Sequence, residues 1–258
     1  MNLELRNHTA LVTGSWRGTG LIIAQHLRAE GANVLVHGFT QAEADAAVAE
    51  IGGGVAVAGD IRTDAGAESL LAACAAHAVD ILVNNYGTAD GGSWLESGTD
   101  AWLDAYQKNV LSAQRMIRGL LPGMRARGWG RIINLGTVGS TRPNAAMPHY
   151  YAAKGALATM TVSLARELAG SGIRVNLVSP GLILTPEVQA ASMRRGQRNG
   201  WGGTWEEIEP HVAAEIPIGR IVRREEVADL VAFLASPKAD GIHGQNFRID
   251  GGALSVVS

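Results

Sequence analysis

Tyr150 and Lys154 stand four residues apart in the stretch His149-Tyr150-Tyr151-Ala152-Ala153-Lys154. On a helix that spacing puts both side chains on one face, about one turn apart. A free phenol has a pKa of about 10 and is a poor acid or base near neutrality. A neighbouring ammonium stabilises the phenolate and lowers that pKa. The pair therefore suits proton donation and removal in an alcohol/carbonyl interconversion. The chain has only three lysines, at 108, 154 and 238. A core tyrosine beside a solvated lysine would leave the same trace, so the surrounding residues must decide.

A second group of residues could hold an anion. The first apolar run ends in Thr13-Gly14-Ser15-Trp16-Arg17-Gly18-Thr19-Gly20, and an amphipathic segment follows. Glycines permit a tight turn and close backbone approach to a pyrophosphate. The helix behind them offers free N–H groups and the positive end of its dipole. The spacing is G-x-x-x-G-x-G rather than G-x-G-x-x-G. Sites for NAD usually carry an acid after the second strand, where it binds the ribose hydroxyls. Here that segment reads Val36-His37-Gly38-Phe39-Thr40, with no acid. Arg17 and Thr40 could meet a 2′-phosphate instead, so the segment favours NADP(H) over NAD(H).

These residues need a scaffold, and the apolar pattern predicts one. Short Val/Ile/Leu runs at Thr9–Thr13, Asn33–His37, Val55–Ala58, Ile81–Asn84, Arg131–Leu135, Arg174–Ser179 and Gln245–Ile249 read as strands buried on both faces. Ala-rich amphipathic segments at 18–30, 41–50, 65–77, 99–120, 149–170 and 225–235 read as helices. The alternation predicts an α/β fold: one doubly wound, Rossmann-like domain spanning residues 1–258, with a mostly parallel seven-stranded sheet covered by helices on both faces. An insert at 186–215 carries Met193, Trp201 and Trp205 among four glycines and reads as a lid.

Composition narrows the function classes. Hydrophobic content of 47% and charged content of 18% are those of a globular protein. A net charge of −2 gives no electrostatic footprint for nucleic acid or a membrane surface. The single cysteine, Cys74, excludes an internal disulfide framework. The seven histidines show no ligand spacing, so no metal is expected. With no apolar signal core at the N-terminus, the expected location is the cytoplasm.

Taken together, the motifs resemble the short-chain dehydrogenase/reductase family in its compact single-domain form. Thr13–Gly20 is similar to the family's glycine motif. Asp60, with Ile61 beside it, matches the acid that meets the adenine. Asn84-Asn85-Tyr86-Gly87 resembles the Asn-Asn-Ala-Gly signature, with Tyr86 in the place of a small residue. Asn109 matches the catalytic asparagine. Pro180-Gly181-Leu182-Ile183-Leu184-Thr185 resembles the segment that holds the nicotinamide end. The family's serine, thirteen residues before the tyrosine, falls on Thr137. Threonine keeps the hydroxyl but is stiffer at χ1; Ser140 is the fallback.

The resemblance implies an NAD(P)-dependent oxidoreductase acting on a ketone or secondary alcohol. Tyr150 is then the acid/base, and Lys154 lowers its pKa and bonds the nicotinamide ribose. Thr137 holds the substrate oxygen, and Asn109 holds a relay water. Tyr151 is expected to pack against a neighbouring helix. The substrate pocket is expected to include Tyr86, Trp94, Gly139, Met147, His149, Leu182 and Trp201. An NAD(H)-dependent alcohol dehydrogenase, a 3-oxoacyl-thioester reductase and a catalytically silent regulator remain alternatives. The partners implied are a small carbonyl or alcohol and further copies of the chain, as a homotetramer or dimer.

Overall fold

The computed structural model describes residues 1–256. Its first half alternates strand and helix: β1 (Thr9–Val12), α1 (Gly18–Ala29), β2 (Asn33–Gly38), α2 (Gln41–Ile51), β3 (Val55–Ala58), α3 (Asp64–Cys74) and β4 (Val79–Asn84). The second half continues with α4 (Thr99–Tyr106), α5 (Ser112–Arg127), β5 (Gly130–Leu135), α6 (Pro148–Glu167) and β6 (Ile173–Pro180). It closes with β7 (Ile183–Leu184), α7 (Pro186–Arg198), α8 (Trp205–Val212), β8 (Val222–Arg223), α9 (Arg224–Ala235) and β9 (Asn246–Ile249).

Seven strands form one sheet in the order β3-β2-β1-β4-β5-β6-β9. Every pairing in it is parallel, which accounts for the continuous apolar runs, because helices cover both faces. Alternation along each strand divides the core in two. Val12, Val34, Ile81 and Ile133 pack with α1 and α9 residues such as Ile23 and Val231. Leu11, Leu35, Leu82 and Ile132 pack on the other face with Leu70 and Met116.

Local signals set the helix ends. Thr40 and Glu43 form a capping box on α2, Pro148 opens α6, and Gly52 and Gly128 take left-handed C-cap conformations. Three features add to the sequence expectation. The helix expected at 99–120 is two helices joined by a π turn at Gln107–Leu111. The 186–215 insert folds into α7 and α8. Strands β7 and β8 form a separate two-stranded parallel sheet beside it.

β1 and β4 are neighbours, yet the chain leaves them toward opposite edges of the sheet. This reversal opens a crevice at the carboxyl ends of the strands.

Candidate active site

A cleft of about 770 Å³ lies in that crevice. Its floor includes Gly14, Arg17, Gly18, Thr19 and Gly20 from the first loop. Gly14 and Gly18 have φ of 63° and 62°, where side chains are strained. A Cβ on Gly20 would collide with the Gly14 carbonyl and the Asn85 amide. The α1 N-terminus has no side-chain cap, whereas threonines cap α2, α3, α7 and α8. Its open N–H groups fit an anion such as a dinucleotide pyrophosphate.

The loop is held from two sides. Thr13 Oγ1 accepts hydrogen bonds from the Asn85 and Tyr86 amides, both at 3.1 Å. The buried His37 ring accepts from Gly14 N at 2.9 Å through Nδ1 and donates from Nε2 to the Gly59 carbonyl at 2.8 Å. That arrangement needs a neutral ring, and burial holds the His37 pKa below its usual value. Sequence reasoning overlooked this role for His37, because its place in a strand read only as core.

Several residues expected at the cofactor are turned elsewhere. Ser15 is buried; its hydroxyl donates to Val12 O and accepts from His37 N. Ile61 lies in the core. Asn84 donates to Asn134 Oδ1 at 2.9 Å, inside the sheet. None of the three is among the residues that line the cleft. Thr40 Oγ1 caps α2. The same capping box returns an acid to the end of β2: Glu43 Oε2 accepts from Phe39 N at 2.9 Å and Thr40 N at 3.0 Å. Reading along the chain missed this carboxylate because it lies one helical turn further on.

At the inner end of the cleft stand Tyr150 and Lys154. Lys154 is 4% exposed, and Nζ donates to the Leu135 carbonyl at 2.8 Å. Burial pushes its pKa down to about 8. Burial likewise pushes the Tyr150 phenol up to about 12, against an opposing hydrogen bond with Thr137. The Lys154 ammonium is directed to the end of β5. Asn109 occupies the π turn, a local widening often found at functional sites. Its Nδ2 donates to Thr88 O and Ala105 O, while its buried Oδ1 has no partner among the described residues. A Cβ on Gly87 would sit 3.0 Å from Lys154 Nζ and closer still to Asn109 Oδ1, which explains a glycine there.

A second cavity of about 420 Å³ lies beyond Tyr150, lined by Thr137, Gly139, Tyr151, Leu182, Ile216 and Leu254, among others. Of the residues lining the two cavities, only Tyr150 belongs to both. Thr137 faces this cavity, while Ser140 Oγ turns back to Thr137 O at 2.8 Å. Tyr151 corrects the sequence reading. It lines the cavity, and Asn144 donates to its hydroxyl at 3.1 Å. Gly139 permits this, since a Cβ there would overlap the Tyr151 ring.

Most of the other expected pocket residues lie elsewhere. Tyr86 stands in the first cleft, edge-on to Phe39 with ring centroids 5.1 Å apart. Trp94 is 70% exposed and leans on Trp102; His149 is buried against that same Trp102. Met147 N donates to Gly92 O at 2.9 Å. Trp201 stacks on His211 within the insert. The insert does reach the second cavity, through Val212 and Glu215. Among the cofactor residues, Pro180, Ile183 and Thr185 line the first cleft, and Gly181 the second.

The comparisons with known proteins agree with this architecture. The sequence pattern of the enoyl-(acyl carrier protein) reductase family matches residues 14–253. The 3-oxoacyl-(acyl-carrier-protein) reductase FabG of Escherichia coli is 36% identical over 259 residues, 99% of this chain and 100% of that protein. The L-sorbose reductase of Gluconobacter frateurii, solved with NADPH and L-sorbose, superposes with a TM-score of 0.91 at 33% identity, covering 100% of both chains. A 3-oxoacyl (acyl-carrier-protein) reductase of Agrobacterium tumefaciens with NADP bound gives 0.86 at 32% identity, over 96% and 95% of the two chains. The chain therefore belongs to the short-chain dehydrogenase/reductase family. It is an NAD(P)-dependent oxidoreductase of CH–OH and C=O groups.

Proposed function

We propose that the protein interconverts a ketone and a secondary alcohol with NADP(H), using Tyr150 as the acid/base. One observation carries the reading: the Tyr150 side chain is the shared wall between the glycine-loop cleft and the amphipathic second cavity. Substrate in the second cavity then meets a proton donor on the side that faces the cofactor. A bound cofactor supplies or takes the hydride.

The chain's own groups do the rest. Thr137 bonds the substrate oxygen and orients it toward Tyr150. In reduction Tyr150 O–H protonates that oxygen, and its high pKa keeps the donor protonated throughout the neutral range. Lys154, buried on the same helix face, offers the positive charge that balances the phenolate left behind. The unpartnered Asn109 Oδ1 accepts a water that returns a proton by way of Lys154. The cavity's Val138, Leu182, Val212 and Ile216 favour a moderately apolar substrate body.

NADP(H) is favoured by Arg17 and Arg62, which line the cleft, and by the NADPH and NADP in the solved relatives. Self-association as a homotetramer is favoured by the half-buried apolar groove between α5 and α6, which Ile117, Leu121, Met160 and Leu164 line.

Tyr150→Phe tests the acid/base role. It removes only the hydroxyl, so carbonyl reduction with NADPH is expected to fall about a thousandfold, within the usual range for one general acid. NADPH binding, followed by nicotinamide fluorescence, is expected to persist. Substantial turnover by the variant would sink the assignment.

A further inference from the structure

Asp60 stands where the family resemblance expects an acceptor for adenine, but both of its carboxylate oxygens already accept from Arg62. Arg62 donates to it from Nε at 2.8 Å and Nη2 at 2.7 Å, and the Arg62 amide adds a third bond at 3.1 Å. The side-chain bonds hold the Asp60 pKa below its usual value and raise that of Arg62. The paired guanidinium then lies over the Phe39 ring, 5.1 Å from its centroid. Phe39 in turn packs edge-on against Tyr86. Arg62, Phe39 and Tyr86 all line the glycine-loop cleft, across which Arg17 also stands.

Charge near the end of β2 shows what this arrangement is for. Glu43 brings a carboxylate to the β2–α2 turn and occupies the Phe39 and Thr40 amides. Thr40 is committed to its helix cap. That turn alone cannot welcome a dianionic phosphate. Four cationic side chains line the cleft. Lys154 is buried deep inside it, and Lys108 is held between Asp90 and Asp104. Arg17 and Arg62 remain. Arg17 lies over the Trp16 ring, 4.5 Å from its centroid, and stands 3.8 Å from Glu187. Arg62 is the one that joins an aromatic platform to a short two-pronged ion pair. A guanidinium has five N–H donors; Asp60 takes two through the side chain, and the others stay free.

We propose that Arg62, positioned by Asp60 and Phe39, is the specificity-determining residue for the 2′-phosphate of NADP(H), and that Asp60 serves as its tether rather than as the adenine acceptor. This rests on the NADP(H) reading above. It makes Tyr86, the departure from the family's small residue, the outer wall that keeps Phe39 beneath the guanidinium.

The test uses two fragments, 2′,5′-ADP and 5′-AMP, titrated calorimetrically into the full chain and two variants whose folding is verified by circular dichroism. Wild type is expected to bind 2′,5′-ADP more tightly. Arg62→Gln is expected to weaken 2′,5′-ADP by about tenfold or more, the size of a lost charge-assisted bond. It should leave 5′-AMP unchanged or slightly tighter, because Asp60 is released to accept from adenine. Asp60→Asn is expected to leave 5′-AMP binding unchanged while reducing the preference for 2′,5′-ADP, because the guanidinium loses its charged tether; a fully retained preference overturns the tether role. A preference that survives Arg62→Gln overturns the proposal, as does equal weakening of both fragments. Weakening of both fragments by Asp60→Asn overturns the tether role. A wild type that fails to discriminate the fragments defeats the NADP(H) reading itself, and this proposal with it.

Discussion

Tyr150 and Lys154 show how a residue's chemistry depends on what surrounds it. Spacing predicts that they share a helix face, and they do, on α6. It does not predict the direction of Lys154 Nζ, which the Leu135 carbonyl fixes. His37 makes a sharper case, because a neutral ring must accept the Gly14 amide. Its pKa is lowered in the fold, so below about 6.5 the unfolded chain binds the extra proton first and stability falls as pH falls. Once His37⁺ forms, Nδ1 can no longer accept and the glycine loop loses a support. NADPH affinity is therefore expected to decline in acid, below the ordinary histidine range. His37→Asn should flatten that decline; an identical pH profile in the variant would refute the role.

At the level of elements, small residues decide where large ones can go. The short 3-10 turn Val138–Ser140 sits under the α6 N-terminus, with Thr137 as its cap. Gly139 within it leaves room for the Tyr151 ring, and so for the wall of the second cavity. Gly139→Ala must push that ring aside. The expected cost is about 1–3 kcal/mol in stability, read by thermal or urea unfolding. A raised KM for the carbonyl substrate should accompany it, with cofactor affinity unchanged. If KM does not move, Tyr151 is not part of the substrate wall. The π turn between α4 and α5 is a similar device: it sets Asn109 so that its amide reaches both Thr88 O and Ala105 O. Neither feature has a periodic signature, which is why the apolar pattern at 99–120 reads as one unbroken helix.

For the whole molecule, parallel strand order brings distant segments to one crevice. The glycine loop, the Asn84–Gly87 segment, Thr137, Tyr150 and Pro180 follow β1, β4, β5 and β6, which are consecutive neighbours in the sheet. Among the described residues, no helix is long and apolar enough to cross a membrane. The α5 and α6 faces leave apolar side chains half-buried beside Arg118, Arg125 and Glu167, a mixture suited to a symmetric self-contact. Sedimentation or light scattering is expected to give about four times the 27.0 kDa subunit mass. A single-subunit mass at micromolar concentration would remove the tetramer.

The sequence by itself determined the strands, the helices and the candidate chemistry, because burial on both sheet faces, helix caps and a four-residue spacing are all local properties. Gly14, Gly18, Tyr150 and Lys154 were legible in that way, and Asn109 and Thr137 through the family resemblance. Only the tertiary structure decided what lies across from what. Glu43 returns to the end of β2, Arg62 claims Asp60, Tyr151 rather than Trp94 or Trp201 faces the second cavity, and His37 holds the glycine loop. Each of these depends on side-chain direction or on contacts between segments far apart in the chain. Residue type and spacing carry no record of either.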